Sequence, residues 1–316
     1  MNSILVTRKL PSSVLSKLEA VGDVDLYTGD TVMSYDELRS RIVGKRAVVS
    51  MITERIDKGV LDAAADLKVV ANVAVGFNNI DVVHARSRGV IVTNTPDVLT
   101  ESVADFTWAL ILAITRRLSE GERLIRRGEW KGWAFDFMLG TELRGKQLGL
   151  VGFGRIARAV AARASAFGVR VACSTRRDFE HASVGQLSLD RLLNTSDIIS
   201  LHVPLTPETQ HLIDKRALTR MKRSAYLVNT SRGPVIDEEA LGWALEHRLI
   251  AGAALDVYER EPEIHTGLMS LENVLLIPHL ASATTETRTA MADLAVSNVI
   301  AVLNGQPAVT PIPPSR

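Results

Sequence analysis

The chain has 316 residues, a length typical of about two globular domains. Hydrophobic residues make up 46% of it and charged residues 23%, and a net charge of +1 leaves no overall field that would recruit nucleic acid or an acidic membrane. The single cysteine, Cys173, excludes an internal disulfide and a cysteine metal cluster, and we expect no bound metal. Arg8 and Lys9 follow the first apolar run, the wrong order for a signal peptide, and no run is long enough to span a membrane. We therefore expect a cytoplasmic protein.

Residues 1–98 alternate between apolar runs typical of strands and segments with helical spacing. The predicted strands are 4–6, 24–26, 47–51, 69–73 and 90–92. The predicted helices are 11–20, 34–42, 58–65 and 81–88. Strands that alternate with helices predict a parallel sheet with both faces covered.

Residues 100–127 are predicted to form one long helix. Its apolar residues recur at helical spacing, and Trp108 and Leu112 add apolar side chains off that stripe. A helix that is apolar most of the way round is buried, either between domains or between subunits, and the sequence favours neither.

The glycine-bounded segment 128–140 contains four large aromatic side chains, namely Trp130, Trp133, Phe135 and Phe137. One interpretation is ordinary packing against a domain or a partner. The other is the wall of a substrate pocket or a dimer contact. Both interpretations stay open.

The second α/β region begins at Gln147. The predicted strands are 148–151, 169–174, 198–201, 226–228, 251–255 and 274–277, and the predicted helices include 156–167, 214–221 and 237–247. A last helix, 284–303, returns to the first region, so we predict a discontinuous first domain, residues 1–98 plus 285–316, and a second domain, residues 99–284. The expected fold class is α/β, with two Rossmann-like or flavodoxin-like domains, parallel sheets and a cleft between them.

A glycine pattern follows the apolar run 148–151, with Gly152, Gly154 and Ala157 at the spacing of a dinucleotide-binding turn. Gly152 permits the tight turn, and Gly154 lets a pyrophosphate approach the backbone. The helix that starts near Arg155 offers free N–H groups to the phosphates. The glycine spacing alone also occurs in structural turns, but the order of strand, turn and helix favours a dinucleotide site.

The strand 169–174 ends in Ser174, Thr175, Arg176 and Arg177, where an NAD site would have a carboxylate for the ribose hydroxyls. Guanidinium groups bind a 2′-phosphate by charge-assisted hydrogen bonds, and the two hydroxyls add donors. A solvated basic turn is the structural alternative. The position favours a phosphate site, so the predicted cofactor is NADP(H).

Three polar residues follow strands of the second region, namely Arg232, Glu261 and His279. Ligands bind at the carboxyl ends of strands in open α/β sheets. Hydride transfer to a carbonyl needs a proton donor, which a histidine supplies near neutral pH, and a carboxylate behind the histidine orients the ring. An arginine can bind the carboxylate of a 2-oxo acid and polarise its carbonyl. As structural alternatives, the histidine is an ordinary buried group and the other two are surface charges.

The chain resembles the D-isomer-specific 2-hydroxyacid dehydrogenase family over essentially its full length. The motifs that carry the resemblance are Gly152-Phe153-Gly154-Arg155-Ile156, Asn229-Thr230-Ser231-Arg232-Gly233, the segment from Asp256 to Pro262, and Pro278-His279-Leu280-Ala281-Ser282-Ala283-Thr284. Ala157 in place of the third glycine, and Ala281 where glycine is common, depart from the family pattern without removing a catalytic group.

The resemblance implies Arg232, Glu261 and His279 as the catalytic set, and Asp256 as the partner of the nicotinamide carboxamide. Other implied or predicted cofactor contacts are the turn residues Gly152, Phe153, Gly154, Arg155 and Ile156, with Ser174, Thr175, Arg176, Arg177, His202, Val203, Pro204, Thr230, Ser231, Arg232, His279 and Ala281. Implied substrate contacts are Met51, the backbone of Val75 and Gly76, Arg232, His279, Ser282 and Trp133.

Within the family, the Arg-Arg turn and the Trp130-Lys131-Gly132-Trp133 stretch look most like NADPH-dependent glyoxylate and hydroxypyruvate reductases. The resemblance implies a homodimer formed through residues 100–140, with Trp133 reaching the partner's site. We therefore expect NADPH-dependent reduction of small 2-oxo acids such as glyoxylate, hydroxypyruvate or 2-ketogluconate to D-2-hydroxy acids. The alternatives are a nucleotide-sensing corepressor on the same scaffold and a dehydrogenase of a small anion such as formate or phosphite.

Overall fold

A computed structural model of the chain describes residues 2–176 and 183–313. The chain divides into two compact units. The first unit combines Met1–Leu99 with Thr284–Arg316, and the second is Thr100–Ala283. Each unit is built on its own parallel sheet, so the predicted α/β class with two parallel sheets is confirmed.

The first unit contains a five-stranded sheet in the order β2-β1-β3-β4-β5. Its strands are β1 (Asn2–Val6), β2 (Gly22–Leu26), β3 (Ala47–Ser50), β4 (Val69–Asn72) and β5 (Ile91–Thr93). Its helices are α1 (Ser12–Glu19), α2 (Tyr35–Arg41), α3 (Lys58–Ala63), α4 (Val82–Ser87) and α12 (Thr285–Leu303). Every residue of β3 and β4 is buried, as expected of a parallel sheet covered on both faces. Helix α12 packs on α1, β3 and β4.

The second unit contains a seven-stranded sheet in the order β12-β11-β10-β9-β6-β7-β8. Its strands are β6 (Gln147–Val151), β7 (Arg170–Ser174), β8 (Val184–Gln186), β9 (Ile198–Leu201), β10 (Tyr226–Asn229), β11 (Gly252–Leu255) and β12 (Val274–Leu276). Its helices are α5 (Thr100–Thr115), α6 (Leu118–Arg126), α7 (Arg155–Ala164), α8 (Leu189–Thr195), α9 (Lys215–Arg220), α10 (Glu238–Glu246) and α11 (Thr266–Met269).

Neighbouring residues along these strands pack into two different cores. In β10, Leu227 joins the core formed with α8, α9 and α10, whereas Tyr226 and Val228 join the core formed with α5 and α7. The sheet is therefore covered on both faces, and ligands of such sheets bind at the carboxyl ends of the strands.

The prediction of one helix over 100–127 is wrong. Helix α5 ends at Thr115 and α6 begins at Leu118, because Arg117 adopts a left-handed conformation with φ of 54° that an α-helix cannot continue. The apolar pattern ends at the same point, and α6 has no buried residue.

Helix α5 is buried within its own unit, where it packs on α7 and on β10, β11 and β12. Trp108 stacks on Phe167 with ring centroids 4.4 Å apart, and its indole N–H donates to the carbonyl of Val160 at 3.0 Å. These contacts explain the apolar side chains off the main stripe.

Three short elements of the second unit, β8, α8 and α11, were absent from the predicted pattern. All three have fewer than eight residues, and β8 is defined by its parallel pairing with β7 rather than by an apolar run. In the part of the chain that the structure describes, no helix combines the length and apolarity needed to cross a membrane.

Candidate active site

The turn after β6 contains two glycines, and the lack of a side chain has a different physical consequence at each. Gly152 has φ of +90°, its N–H donates to the carbonyl of Ser174 at 2.8 Å, and a Cβ there would lie 2.6 Å from the carbonyl oxygen of His202. Gly154 has ordinary φ of −79°, and a Cβ there would meet no atom within 4 Å. The fold therefore requires glycine at 152 but not at 154. The open space at Gly154 lies directly before the first turn of α7, as close phosphate approach requires.

Helix α7 packs closely on the sheet behind this turn. Ala157 is fully buried in the core that contains Leu148 and Leu150 of β6. Phe153 is also buried there, with the Arg158 guanidinium 4.7 Å from its ring centroid. Arg155 and Ile156, in the first turn of the helix, follow Gly154 directly. The residues present thus fit a dinucleotide held through backbone N–H groups.

The end of β7 presents polar groups at the expected ribose position. Ser174 and Thr175 are half-buried, and Arg176 is exposed. The pKa of Glu208 is lowered, first by a hydrogen bond from the Thr206 hydroxyl and further by the charge of Arg176. Arg176 therefore lies close enough to the Glu208 carboxylate to interact with its charge. Arg177, the second arginine of the predicted phosphate site, lies outside the described residues.

The segment after β9 borders the glycine turn through its backbone. The N–H of His202 donates to the carbonyl of Val151 at 2.8 Å, and Val203 also lies close to Gly152. The His202 ring makes a 2.9 Å hydrogen bond with the Ser200 hydroxyl, and burial lowers its pKa to about 4. The ring is therefore neutral near pH 7, and the predicted backbone role suits it better than an acid role. Pro204, which follows, is exposed.

A buried asparagine shapes the loop that carries Arg232. Asn229, at the end of β10, accepts from the Ser231 N–H at 3.0 Å and from the Ser231 hydroxyl at 2.8 Å, and it donates to the carbonyl of Arg232 at 2.9 Å. The Thr230 and Thr107 hydroxyls are 3.1 Å apart. Asn229 is part of a family motif in the sequence, but no role was predicted for it. An asparagine that ends an otherwise apolar strand was the available signal.

Close backbone approach brings the loops after β10 and β11 together. A Cβ at Gly233 would lie 1.8 Å from the carbonyl carbon of Tyr258, so only glycine fits. Arg232 and Glu261 interact electrostatically as a result. Burial lowers the pKa of Arg232, and the charge of Glu261 opposes that shift.

His279 and Glu261 form a hydrogen-bonded pair. His279 Nδ1 lies 2.9 Å from Glu261 Oε2, and the Tyr258 N–H donates to Glu261 Oε1 at 3.1 Å. Burial by itself raises the pKa of Glu261, but the hydrogen bond and charge of His279, the Tyr258 N–H and the charge of Arg232 together hold that pKa below its usual value. Glu261 is therefore ionised at neutral pH. The His279 side chain is 34% exposed, so its ring is accessible.

Asp256 holds the loop that follows His279. Its side chain is fully buried, and its two oxygens accept the N–H groups of Leu280 at 2.6 Å and Ala281 at 2.9 Å. Burial raises the pKa of Asp256, and these two N–H groups oppose that shift. His279 adopts φ of 54°, and its N–H donates to the Asp256 carbonyl at 2.9 Å. Contact between Asp256 and the nicotinamide carboxamide stays a prediction.

The residues predicted to bind substrate in the first unit lie on two loops that side chains connect. The Asn79 amide donates to the carbonyl of Met51 at 3.1 Å, and the Asn72 amide donates to the carbonyl of Gly76 at 2.8 Å. Asn94 donates to the carbonyl of Val75 at 2.7 Å. Within the second unit, Ser282 is buried beside Ala281, whereas the Trp133 side chain is 82% exposed.

The two turn glycines generate a matched prediction. We expect Gly152→Ala to destabilise the fold by about 1–3 kcal/mol or more, since it adds a strained φ and a clash with a carbonyl. We expect Gly154→Ala to keep the wild-type melting temperature but to weaken nicotinamide dinucleotide binding about tenfold, because its methyl group enters the phosphate position. Thermal unfolding and fluorescence titration measure the two effects. Equal destabilisation by both substitutions, or unchanged dinucleotide binding by Gly154→Ala, would contradict this assignment.

Comparison with known proteins agrees with the geometry. Residues 108–281 match the family model described as D-isomer specific 2-hydroxyacid dehydrogenase, NAD binding domain. A glyoxylate reductase from Korarchaeum cryptofilum is 47% identical over 318 residues, which cover 99% of this chain and 94% of that protein. The crystal structure of the TT0316 protein from Thermus thermophilus matches with a TM-score of 0.94 and 44% identity, over 98% of this chain and 100% of that one.

A Sinorhizobium meliloti protein, described as an NADPH-dependent glyoxylate/hydroxypyruvate reductase in complex with NADP and malonate, matches with a TM-score of 0.88 and 36% identity, over 98% of this chain and 96% of that one. The family model covers more than half of the chain, and the first relative matches nearly all of it. The chain therefore belongs to the D-isomer-specific 2-hydroxyacid dehydrogenase family, whose members are oxidoreductases with a nicotinamide cofactor.

Proposed function

We propose that this protein is an NADPH-dependent reductase of small 2-oxo acids, with glyoxylate and hydroxypyruvate as its substrates. The observation that carries the proposal is the pair of His279 and the ionised Glu261, 2.9 Å apart, in a loop cluster that also holds Arg232. Relatives described as glyoxylate reductases, at 47% and 48% identity, support the choice of substrate.

In the proposed reaction, His279 donates a proton from Nε2 to the carbonyl oxygen of the substrate, while Glu261 holds Nδ1 and so fixes the orientation of the ring. Bound NADPH supplies the hydride. Arg232 binds the substrate carboxylate and polarises its carbonyl. The family resemblance implies further substrate contacts at Met51 and at the N–H groups of Val75 and Gly76 in the first unit, and at Ser282 in the second.

NADPH is the proposed cofactor because β7 ends in hydroxyl and guanidinium groups. Ser174, Thr175 and the exposed Arg176 occupy the position where an NAD-binding carboxylate would stand. A 2′-phosphate would replace Glu208 as the anion near Arg176. The Sinorhizobium meliloti relative described with bound NADP supports the same choice.

Steady-state kinetics with a panel of acids tests both parts of the proposal. We expect wild-type protein to reduce glyoxylate and hydroxypyruvate, with kcat/KM for NADPH about tenfold or more above that for NADH. The larger 2-ketogluconate tests the size of the substrate pocket. Arg176→Ala should remove most of the NADPH preference and leave the NADH reaction nearly unchanged, because only NADPH carries the 2′-phosphate.

Other results of the same assay would contradict the proposal. A preference for NADH would overturn the cofactor assignment. NADPH binding without turnover of any 2-oxo acid would favour the corepressor alternative, and oxidation of formate or phosphite with NADP⁺ would favour the small-anion dehydrogenase. Arg170→Ala, at the exposed start of β7, provides a control for loss of a surface arginine from the same strand.

A homodimer is part of the proposal, and an exposed apolar surface supports it. In segment 128–140, Trp133 is 82% exposed, Phe135 85% and Leu139 65%. On α6, Leu118 and Ile125 are also exposed. Large exposed apolar side chains concentrated in one part of the chain favour a protein interface there. Trp133 would contact the partner's substrate site.

Sedimentation velocity tests the homodimer. We expect a species of twice the 34.4 kDa chain mass, because burial of these side chains between two copies removes apolar surface from water. The substitutions Trp133→Ser and Phe135→Ser together should shift the protein toward monomer, whereas Val83→Ser, an exposed apolar position of α4, should not. A wild-type monomer at micromolar concentration would contradict this part of the proposal.

A further inference from the structure

Two glutamates, Glu238 and Glu259, connect helix α10 to the loop that carries Glu261. Glu238, the first residue of α10, is only 4% exposed, and its Oε1 accepts the N–H of Glu259 at 2.7 Å. In return, the Glu238 N–H donates to Glu259 Oε2 at 3.3 Å. The start of α10 and the loop after β11 are thus joined by reciprocal hydrogen bonds between carboxylate and backbone.

Glu238 accepts the N–H of Glu259 at the start of the loop that contains Glu261, and the N–H of His265 at the other end acts on its pKa. The pKa of Glu238 is raised, first by burial and further by the charge of Glu259, while backbone N–H groups of Glu259 and His265 oppose that shift. Glu261 lies between these two donors in the chain. Within the loop, the N–H of Glu263 donates to the carbonyl of Arg260 at 2.8 Å, which closes a turn around Glu261.

Two histidines and a tyrosine are titratable neighbours of this pair. The charge of His265 acts to lower the pKa of Glu238, and the ring of His211 pairs with Glu259 Oε1. The Tyr258 hydroxyl lies near enough for Glu238 to raise its pKa. The proposed mechanism uses none of these groups.

Helix capping does not account for Glu238. Asp237 is the N-cap of α10, and its side chain accepts the N–H of Ala240 at 2.9 Å. Glu239, in the same first turn, is exposed and offers an equal favourable charge to the helix dipole. Burial of a carboxylate costs free energy unless its hydrogen bonds are made. The contact of Glu238 with the loop therefore offsets a cost that helix capping alone does not explain.

We propose that Glu238 is a positioning residue for the reduction: it fixes the loop from Glu259 to His265 and thereby holds the Glu261 carboxylate at hydrogen-bond distance from His279. The inference rests on the proposed function. Glu238 acts through Glu261 and touches neither substrate nor cofactor.

Kinetics of Glu238→Ala test this role. We expect kcat for glyoxylate reduction to fall about tenfold, while KM for NADPH stays within about twofold, since the glycine turn is untouched. Glu238→Gln keeps an oxygen acceptor for the Glu259 N–H and should retain activity within about threefold. Glu239→Ala, the matched control in the same helical turn, should behave as wild type.

A double substitution separates positioning from general damage. In a Glu261→Ala background, Glu238→Ala should lower kcat by less than about twofold more, because its effect passes through Glu261. A full additional tenfold loss, or a Glu238→Ala enzyme with kcat within twofold of wild type, would overturn the proposal. If Glu238→Ala does not fold, Glu238→Asp, which shortens the side chain by one methylene, should show the same kcat loss.

Hydrogen–deuterium exchange distinguishes failure of this inference from failure of the proposed function. Glu238→Ala should speed amide exchange across residues 258–265 about tenfold, with little change in the glycine turn, whether or not wild-type protein reduces a 2-oxo acid. Unchanged exchange in that segment would overturn the positioning role. Absence of wild-type turnover together with faster exchange would overturn the proposed function alone.

Discussion

The hydrogen bond between His279 Nδ1 and Glu261 Oε2 is the contact on which the proposed chemistry depends. His279 follows β12, Glu261 follows β11, and Arg232 follows the next strand in the sheet, β10. Because these strands are parallel and adjacent, their carboxyl ends meet at one edge of the sheet. The fold thus gathers three loops, and the remaining question is what fixes each loop to within hydrogen-bond distance.

Buried polar side chains supply that precision. Asn229 organises the loop of Arg232, Asp256 holds the two residues after His279, and Glu238 contacts the loop of Glu261. All three are at most 4% exposed. An unpaired polar group in such a position would cost about 1–3 kcal/mol, so each is stable only while its backbone partners remain in place. The arrangement couples loop geometry to the core of the second unit.

Periodicity and strand ends predicted most of the fold and the main candidate residues. The apolar runs of β3, β4, β9 and β10 are fully buried in the structure. The break between α5 and α6 was missed, because the left-handed conformation of Arg117 leaves no periodic signal.

Two of the features that hold the loops in place, Glu238 and Gly233, were also out of reach of the sequence. The role of Glu238 depends on contact with a backbone N–H 21 residues away, and a sequence pattern cannot tell it from the exposed Glu239 beside it. Gly233 is similar, since the close approach of Tyr258 that excludes a side chain exists only in the folded protein. Candidate residues for the chemistry can be named from their type and position at strand ends, whereas the residues that hold their loops are identified only from three-dimensional contacts.

The central claim is that His279 and Glu261 act as one unit in proton donation, and a double-mutant cycle on kcat/KM for glyoxylate tests it most directly. We expect Glu261→Ala alone to cost about 100-fold and the double variant to be no worse than His279→Ala within about threefold, a coupling of about 2–3 kcal/mol. Multiplicative losses, with the double variant about 100-fold below His279→Ala, would show that the two residues act independently and would contradict the claim.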